Sequence, residues 1–223
     1  VKRERRRAAL FDLDGTLTDP RVGITRSIRY ALHVLGIDSP PDPELESMIG
    51  PPLLDSFRDR FGLGEERARS AVDLYREYFA ESGLYENEVH PGIPGLLTEL
   101  REREITLVLA TSKPEIYARR ILEHFGLASS FHAMVGSFLD GRRTDKTEVI
   151  GAALAQIGAR TSEDALVMVG DRVHDVVGAR ANGIDVVAVG YGFGSDEELA
   201  RACPTRRAAT VPELRLQLFE LLL

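Results

Sequence analysis

Phe11-Asp12-Leu13-Asp14-Gly15-Thr16-Leu17 is the stretch from which the rest of this 223-residue chain can be read. The apolar run Ala8-Ala9-Leu10-Phe11 leads into it, and two carboxylates then stand one residue apart. A short apolar run that ends in acids predicts a buried strand, with Gly15 turning the chain out of the sheet. Holding two acids at the end of such a strand is costly. Like charges repel, and burial penalises the ionised forms. A divalent cation removes much of that cost. The stretch therefore points to a metal-dependent site beyond the carboxyl end of a strand, where open α/β sheets carry their ligands. An ordinary Asp-Gly turn would use some of the same residues. The full pattern Asp-X-Asp-Gly-Thr-Leu is expected by chance in about one chain of this length in ten thousand, which favours the site over the turn.

The chain carries 28 Lys and Arg against 35 Asp and Glu, a formal net charge of -7. That balance argues against a nucleic-acid partner. A 43% hydrophobic and 28% charged composition fits an ordinary globular protein. The length allows one large α/β domain or a core with a small insert. No apolar run is long enough to span a bilayer, and no membrane partner is expected. The basic start, residues 1–7, lacks the apolar stretch and cleavage pattern of a secretory signal and reads as a solvated tail. Cys203 is the single cysteine, so an internal disulfide is impossible. A reducing compartment fits best, and the expected location is cytoplasmic.

After Leu17 the pattern is helical. Ile28, Ala31, Leu32 and Leu35 recur at helix spacing over residues 25–35, and Gly36 ends the run. A Pro-rich turn at 40–43, a short helix over 44–49 and the break Gly50-Pro51-Pro52 follow. A helix to residue 61 and a long one over 65–81 complete the block, with no strand pattern between 19 and 87. From residue 90 the character changes. Helices over 93–103, from Pro114 to 125, 146–156, 174–182 and from about 212 alternate with strands at 105–110, 132–135, 165–169 and 186–189. Alternation of this kind calls for a parallel sheet with helices on both faces. The first strand must join that sheet, so the helical block is an insertion.

Asp12-Leu13-Asp14-Gly15-Thr16-Leu17 resembles the first motif of the haloacid-dehalogenase-like superfamily, in its branch of aspartate-nucleophile phosphatases. The resemblance covers essentially the whole chain. It implies an α/β fold: a Rossmann-like parallel sheet core, residues 1–18 and 88–223, with an inserted all-helical cap domain at 19–87. Three further motifs follow in the family's order. Ala110-Thr111-Ser112-Lys113-Pro114 stands at a predicted strand-to-helix junction, where a hydroxyl and free N–H groups cradle an anion or cap a helix. The resemblance implies that the Thr111 hydroxyl holds phosphoryl oxygens and that Ser112 contributes its N–H. Lys146 alone reads as a solvated charge, but the family requires a lysine in this interval and Lys146 is the best match. Arg143 is the fallback and Lys113 a less suitable stand-in. A fixed ammonium there would screen the acids from an anionic substrate. Val169-Gly170-Asp171-Arg172-Val173-His174-Asp175 could be a capped helix with an acidic first turn. It also resembles the family's Gly-Asp-X-X-X-Asp, which implies Asp171 as a metal ligand and Asp175 as its support.

Together these motifs imply a Mg²⁺ site of the Asp12 and Asp171 carboxylates and the Asp14 backbone carbonyl, hard oxygen donors with room for phosphate and waters. No cluster of Cys or His suggests zinc. The implied reaction is hydrolysis of a phosphomonoester. Asp12 attacks phosphorus, while Asp14 protonates the leaving oxygen and later takes a proton from water. Dehalogenases of the family need neither the second aspartate nor the metal. Gly23-Ile24-Thr25-Arg26-Ser27 and Val169-Gly170-Asp171-Arg172 look like the phosphoglycolate-phosphatase-like group. The expected partner is a small phosphorylated metabolite. A nucleotide phosphatase, a pyrophosphatase, a phosphomutase and a non-catalytic binding member remain open. Gly50-Pro51-Pro52 is either a cap loop facing the phosphate site or an interhelical turn. Gly190-Tyr191-Gly192-Phe193-Gly194 fails the dinucleotide fingerprint, because its third glycine falls at Ser195. His90 and His174 read as structural or solvated.

Overall fold

The computed structural model describes residues 5–223. The solvated-tail expectation for residues 1–4 lies outside that range. Arg7, also counted in that tail, is the first residue of the sheet. The chain runs through β1 (Arg7–Phe11) and β2 (Thr18–Asp19) into four helices, α1 (Arg21–Val34), α2 (Asp42–Glu46), α3 (Leu53–Phe61) and α4 (Glu65–Tyr78). It continues through β3 (Glu88–Val89), α5 (Ile93–Glu102), β4 (Thr106–Pro114), α6 (Glu115–His124), β5 (Ala133–Ser137) and α7 (Lys146–Gln156). It ends with β6 (Ala165–Gly170), α8 (Val173–Ala181), β7 (Asp185–Val189), α9 (Asp196–Ala202), β8 (Arg206–Ala208) and α10 (Val211–Leu222).

Six strands form one sheet in the order β5-β4-β1-β6-β7-β8, and every adjacent pair is parallel. This is the parallel α/β sheet that the alternation predicts and the Rossmann-like core that the resemblance implies. Ala8, Ala9, Leu10 and Phe11 are wholly buried, because β1 has a strand on either side and helices on both faces. Val149, Ile150 and Ala153 of α7 and Val176 and Ala179 of α8 join the core cluster that contains Ala8 and Leu10. From β1 the chain adds β4 and β5 on one side and then β6, β7 and β8 on the other. That reversal leaves a crevice at the carboxyl ends of β1, β4 and β6. Register sets the heights there. Phe11 lies opposite both Leu109 and Val169, so Asp12, Thr111 and Asp171 lie within a residue of one another along the strand direction.

The chain divides into two compact units, Val1–Asp19 with Val89–Leu223, and Pro20–Glu88. In the second unit α1 buries Ile24, Ile28, Ala31 and Leu32, and α4 buries Ala68, Ala71, Val72 and Tyr75. A π-turn at Phe79–Gly83 ends the helix that sequence spacing extends to 81. Phe79 keeps its place in the core by stacking on Tyr75, with ring centroids 5.3 Å apart. Other departures from expectation are local. β4 runs on to Pro114, which precedes α6 rather than lying within its first turn. α9 and β8 were not expected. Both are short, and β8 is an edge strand whose two arginines are exposed.

Gly23 of α1 packs directly on the π-turn, and a Cβ there would overlap the Gly83 carbonyl oxygen. A backbone oxygen cannot swing aside as a side chain can. Gly23→Ala is expected to destabilise the protein by about 1–3 kcal/mol. Gly64→Ala, where a Cβ meets nothing within 4 Å, should be tolerated. Urea denaturation of both variants checks the contrast.

Candidate active site

At the end of β1 the Asp12 N–H donates to Val169 O at 2.9 Å, so the first acid leaves the sheet while still tied to β6. Gly15 then takes a positive φ of 81°, and its N–H donates to Thr18 O at 2.7 Å. The tight turn returns the Asp14 side chain to the same corner. At the end of β6 Gly170 is required for a different reason. A Cβ there would overlap the Asp175 carboxylate. Asp175 lies in the first turn of α8 and accepts from the Arg172 N–H at 3.1 Å. Asp171 and Asp175 are wholly buried, and Asp12 is 9% exposed. Oxygens of these three acids lie within 4.8 Å of one another.

Lys146 opens α7. Asp145 caps that helix by accepting from the Thr147 N–H at 2.8 Å, which sets Lys146 at its first position. The Lys146 ammonium is 5% exposed and lies 2.8 Å from Asp12 Oδ1 and 2.8 Å from Asp175 Oδ1. Its hydrogen bond with good geometry goes to Ala110 O at 3.1 Å, so the two carboxylate contacts are charge pairs rather than aligned hydrogen bonds. Burial alone would lower its pKa, but Asp12 and Asp175 hold it above the ordinary lysine value. Arg143 is committed elsewhere. Its Nε donates to Gly136 O at 2.8 Å, and its guanidinium lies 4.4 Å from the centre of the Phe138 ring.

Asp171 accepts from the Phe193 N–H at Oδ2, 2.7 Å, and its other oxygen, Oδ1, is buried without a hydrogen-bond partner. Burial, followed by the charges of Asp175 and Asp12, pushes its carboxyl well above the usual carboxylate range. Burial raises Asp175 too, against the pull of Lys146. Thr111 is buried in β4, three residues before its end, with Ser112 half-buried after it. Thr111 Oγ1 accepts from the Lys113 N–H at 3.3 Å. His174 is exposed, and His90 packs edge-on against Tyr191, with ring centroids 4.8 Å apart.

Residues 9–189 match the family model of haloacid dehalogenase-like hydrolases. The chain belongs to that family. It is 52% identical to a 5'-nucleotidase of Pseudomonas aeruginosa, over 92% of both chains. It is 44% identical to the tyrosine-protein kinase PtkA of Mycobacterium tuberculosis, over 92% of this chain and 70% of that one. The crystal structure of a predicted phosphatase from Clostridium acetobutylicum superposes with a TM-score of 0.92 at 42% identity, covering 98% of this chain and all of the other. Phosphoglycolate phosphatases of three bacteria are 25–31% identical. The expected enzyme class, a hydrolase of phosphate esters, agrees with the family model and with these phosphatase relatives. Among the described residues no helix is long and apolar enough to cross a membrane.

Two parts of this haloacid dehalogenase-like site escaped the sequence reading. Lys113, weighed only as a substitute for Lys146, instead grips Asp14, with Nζ 2.7 Å from Oδ2 and 2.9 Å from Oδ1. The available signal was its place in the same motif, two residues after Thr111. The glycines at 192 and 194, set aside with the dinucleotide pattern, lie against Asp171.

The raised carboxyls have a consequence for stability. Asp14, Asp171 and Asp175 bind protons more tightly in the folded chain than in the unfolded one. Folded stability without metal therefore falls as pH rises from the unfolded carboxylate value of about 4 through the raised values. Lys146 is charged in both states across that interval and adds no slope. The lowered acids Glu99, Asp140 and Glu198 contribute only at lower pH, where their unfolded forms protonate. In EDTA the melting temperature should drop between pH 5 and pH 8, and Asp171→Asn should flatten that drop. Equal slopes in the two proteins would refute the assignment.

Proposed function

We propose that this chain hydrolyses the phosphomonoester of a small metabolite through an aspartyl-phosphate on Asp12. The observation that carries the reading is the buried corner of Asp12, Asp171 and Asp175, closed by Lys146, in which Asp171 Oδ1 has no partner. An orphaned carboxylate oxygen in an all-oxygen donor set fits a hard divalent cation, and Mg²⁺ is the proposed ion. Asp12, Asp171 and the Asp14 carbonyl would hold it. When bound it would screen the phosphoryl charge from the attacking carboxylate.

In the proposed first step the Asp12 carboxylate forms a bond to phosphorus as the bond to the leaving oxygen breaks. Asp14 gives its proton to that oxygen. Burial holds the Asp14 carboxyl above the ordinary range even though Lys113 pulls it down, which favours the protonated form that the first step needs. Water then attacks the aspartyl-phosphate, Asp14 takes its proton, and phosphate leaves with Asp12 regenerated. Lys146, 2.8 Å from Asp12 Oδ1, fixes the attacking carboxylate and meets the transferred phosphoryl oxygens. The Thr111 hydroxyl and Ser112 N–H donate to the same oxygens. Asp175 acts through Lys146, since its Oδ1 is paired with that ammonium and its Oδ2 with the Arg172 N–H. The unit of residues 20–88 serves as the inserted cap that selects the substrate. A cytoplasmic location goes with this reading.

Among small phosphomonoesters a nucleoside 5'-monophosphate is the first choice, supported by the 52% identity to a 5'-nucleotidase. Phosphoglycolate is the second, supported by relatives of 25–31% identity. A kinase reading finds less support. The relative named a tyrosine-protein kinase is 44% identical, below the 52% of the 5'-nucleotidase.

The test is phosphate release from nucleoside monophosphates, 2-phosphoglycolate, pyrophosphate, sugar phosphates and para-nitrophenyl phosphate, each with Mg²⁺ and with EDTA. Release should require the metal. Asp12→Asn should lower kcat by more than about a thousandfold while leaving the circular dichroism unchanged. Asp14→Asn should harm turnover most on esters with poor leaving groups and least on para-nitrophenyl phosphate. Silence of the folded, metal-loaded protein across the panel would sink the reading.

A further inference from the structure

The Asp171 side chain is held by groups that the mechanism above leaves unused. Its Oδ2 takes the Phe193 N–H at 2.7 Å. A Cβ on Gly192 would overlap the Asp171 side chain and come within 2.5 Å of Gly15 O. A Cβ on Gly194 would overlap the Asp171 carbonyl, and one on Gly15 would overlap Asp171 Oδ2. Meanwhile the Tyr191 O–H donates to Thr16 O at 3.1 Å. One loop, the five residues that follow β7, thus touches both Asp171 and the turn that follows Asp14. A carboxylate facing open solvent exchanges its two oxygens freely. Here backbone lies close on the Oδ2 side, Oδ2 is bound to an N–H, and Oδ1 is the oxygen left over.

We propose that Gly190-Tyr191-Gly192-Phe193-Gly194 is the positioning element of the metal site. It decides which oxygen of Asp171 is offered to the cation, because it holds Oδ2 and leaves Oδ1, and it ties the Asp171 side chain to the turn carrying the Asp14 carbonyl. Gly192 is the residue on which this depends, since its backbone lies against Asp171 and Gly15 together. This rests on the Mg²⁺ reading above. Partners that orient a metal ligand without touching the metal are typically worth ten- to a hundredfold in metal affinity.

The experiment is Mg²⁺ titration calorimetry on metal-free protein, with circular dichroism and melting in EDTA alongside. Gly192→Ala should bind Mg²⁺ at least about tenfold more weakly. Gly190→Ala, whose Cβ would meet nothing closer than 3.9 Å, should bind as the wild type does. Tyr191→Phe adds no atom and removes one hydrogen bond, and a loss of about threefold is expected. A folded Gly192→Ala with wild-type affinity overturns the proposal. If Gly192→Ala does not fold, Tyr191→Phe decides, and wild-type affinity there overturns it instead. A wild type that takes up no Mg²⁺ removes the metal reading and this proposal together. A wild type that binds Mg²⁺ and shows these losses, yet releases no phosphate, leaves the loop's role standing while the phosphatase reading falls.

Discussion

Negative charge out of water is the constraint on which the rest of this structure depends. Oxygens of Asp12, Asp171 and Asp175 lie within 4.8 Å of one another, and two of the three residues are wholly buried. At an effective dielectric of about 20, each ionised pair at that distance repels by roughly 3 kcal/mol, so three pairs approach the whole stability of an ordinary domain. Lys146 answers part of this from 2.8 Å on two sides. It makes no contact of that kind with Asp171. The third acid is pushed well above the usual carboxylate range and is the one with an oxygen left unpaired. A single buried lysine among three buried acids leaves a deficit of positive charge, and that deficit sits beside Asp171. The surrounding features serve the same corner: the switch point of the sheet, the Asp145 cap that sets Lys146, and the glycines that let backbone approach.

The acid to which the proposed mechanism gives a change of protonation is handled differently. Asp14 lies at the rim and is gripped by Lys113 through both oxygens. Burial raises its carboxyl and Lys113 lowers it. A group that gives a proton in one step and takes one in the next is poorly served by either influence alone. Burial unopposed would leave it a weak acid at neutral pH, and Lys113 unopposed would leave it permanently ionised.

What was legible beforehand follows from what each kind of residue signals. β1, β6 and β7 were readable because a strand buried on both faces is a continuous apolar run. Asp12, Asp14, Asp171 and Lys146 were readable because each stands where such a run ends or a helix begins. The end of β4 was misjudged because Pro114 reads as a helix opener. The strand in fact continues to it, with a register shift between Ala110 and Pro114. α9 and β8 carry too few apolar residues to show a period. The role of Gly192 and Gly194 was illegible for a deeper reason. A glycine reports only that something lies close, and the partner here is Asp171, some twenty residues earlier in the chain.

All the side chains placed at this site come from the unit formed by the first nineteen residues and Val89–Leu223. The helical unit has its own core, built from α1, α4 and the π-turn. Chemistry and selection are therefore open to change at different rates. A substitution among the buried acids strands a charge, whereas one on an exposed face of the helical unit disturbs little. This explains how relatives that share the fold over most of their length bear names as different as 5'-nucleotidase and tyrosine-protein kinase. Family membership speaks for the sheet and for the class of reaction. In the proposed function the choice of phosphate ester falls to residues 20–88, where the sequence carries helix periodicity and turns but no motif that names a ligand.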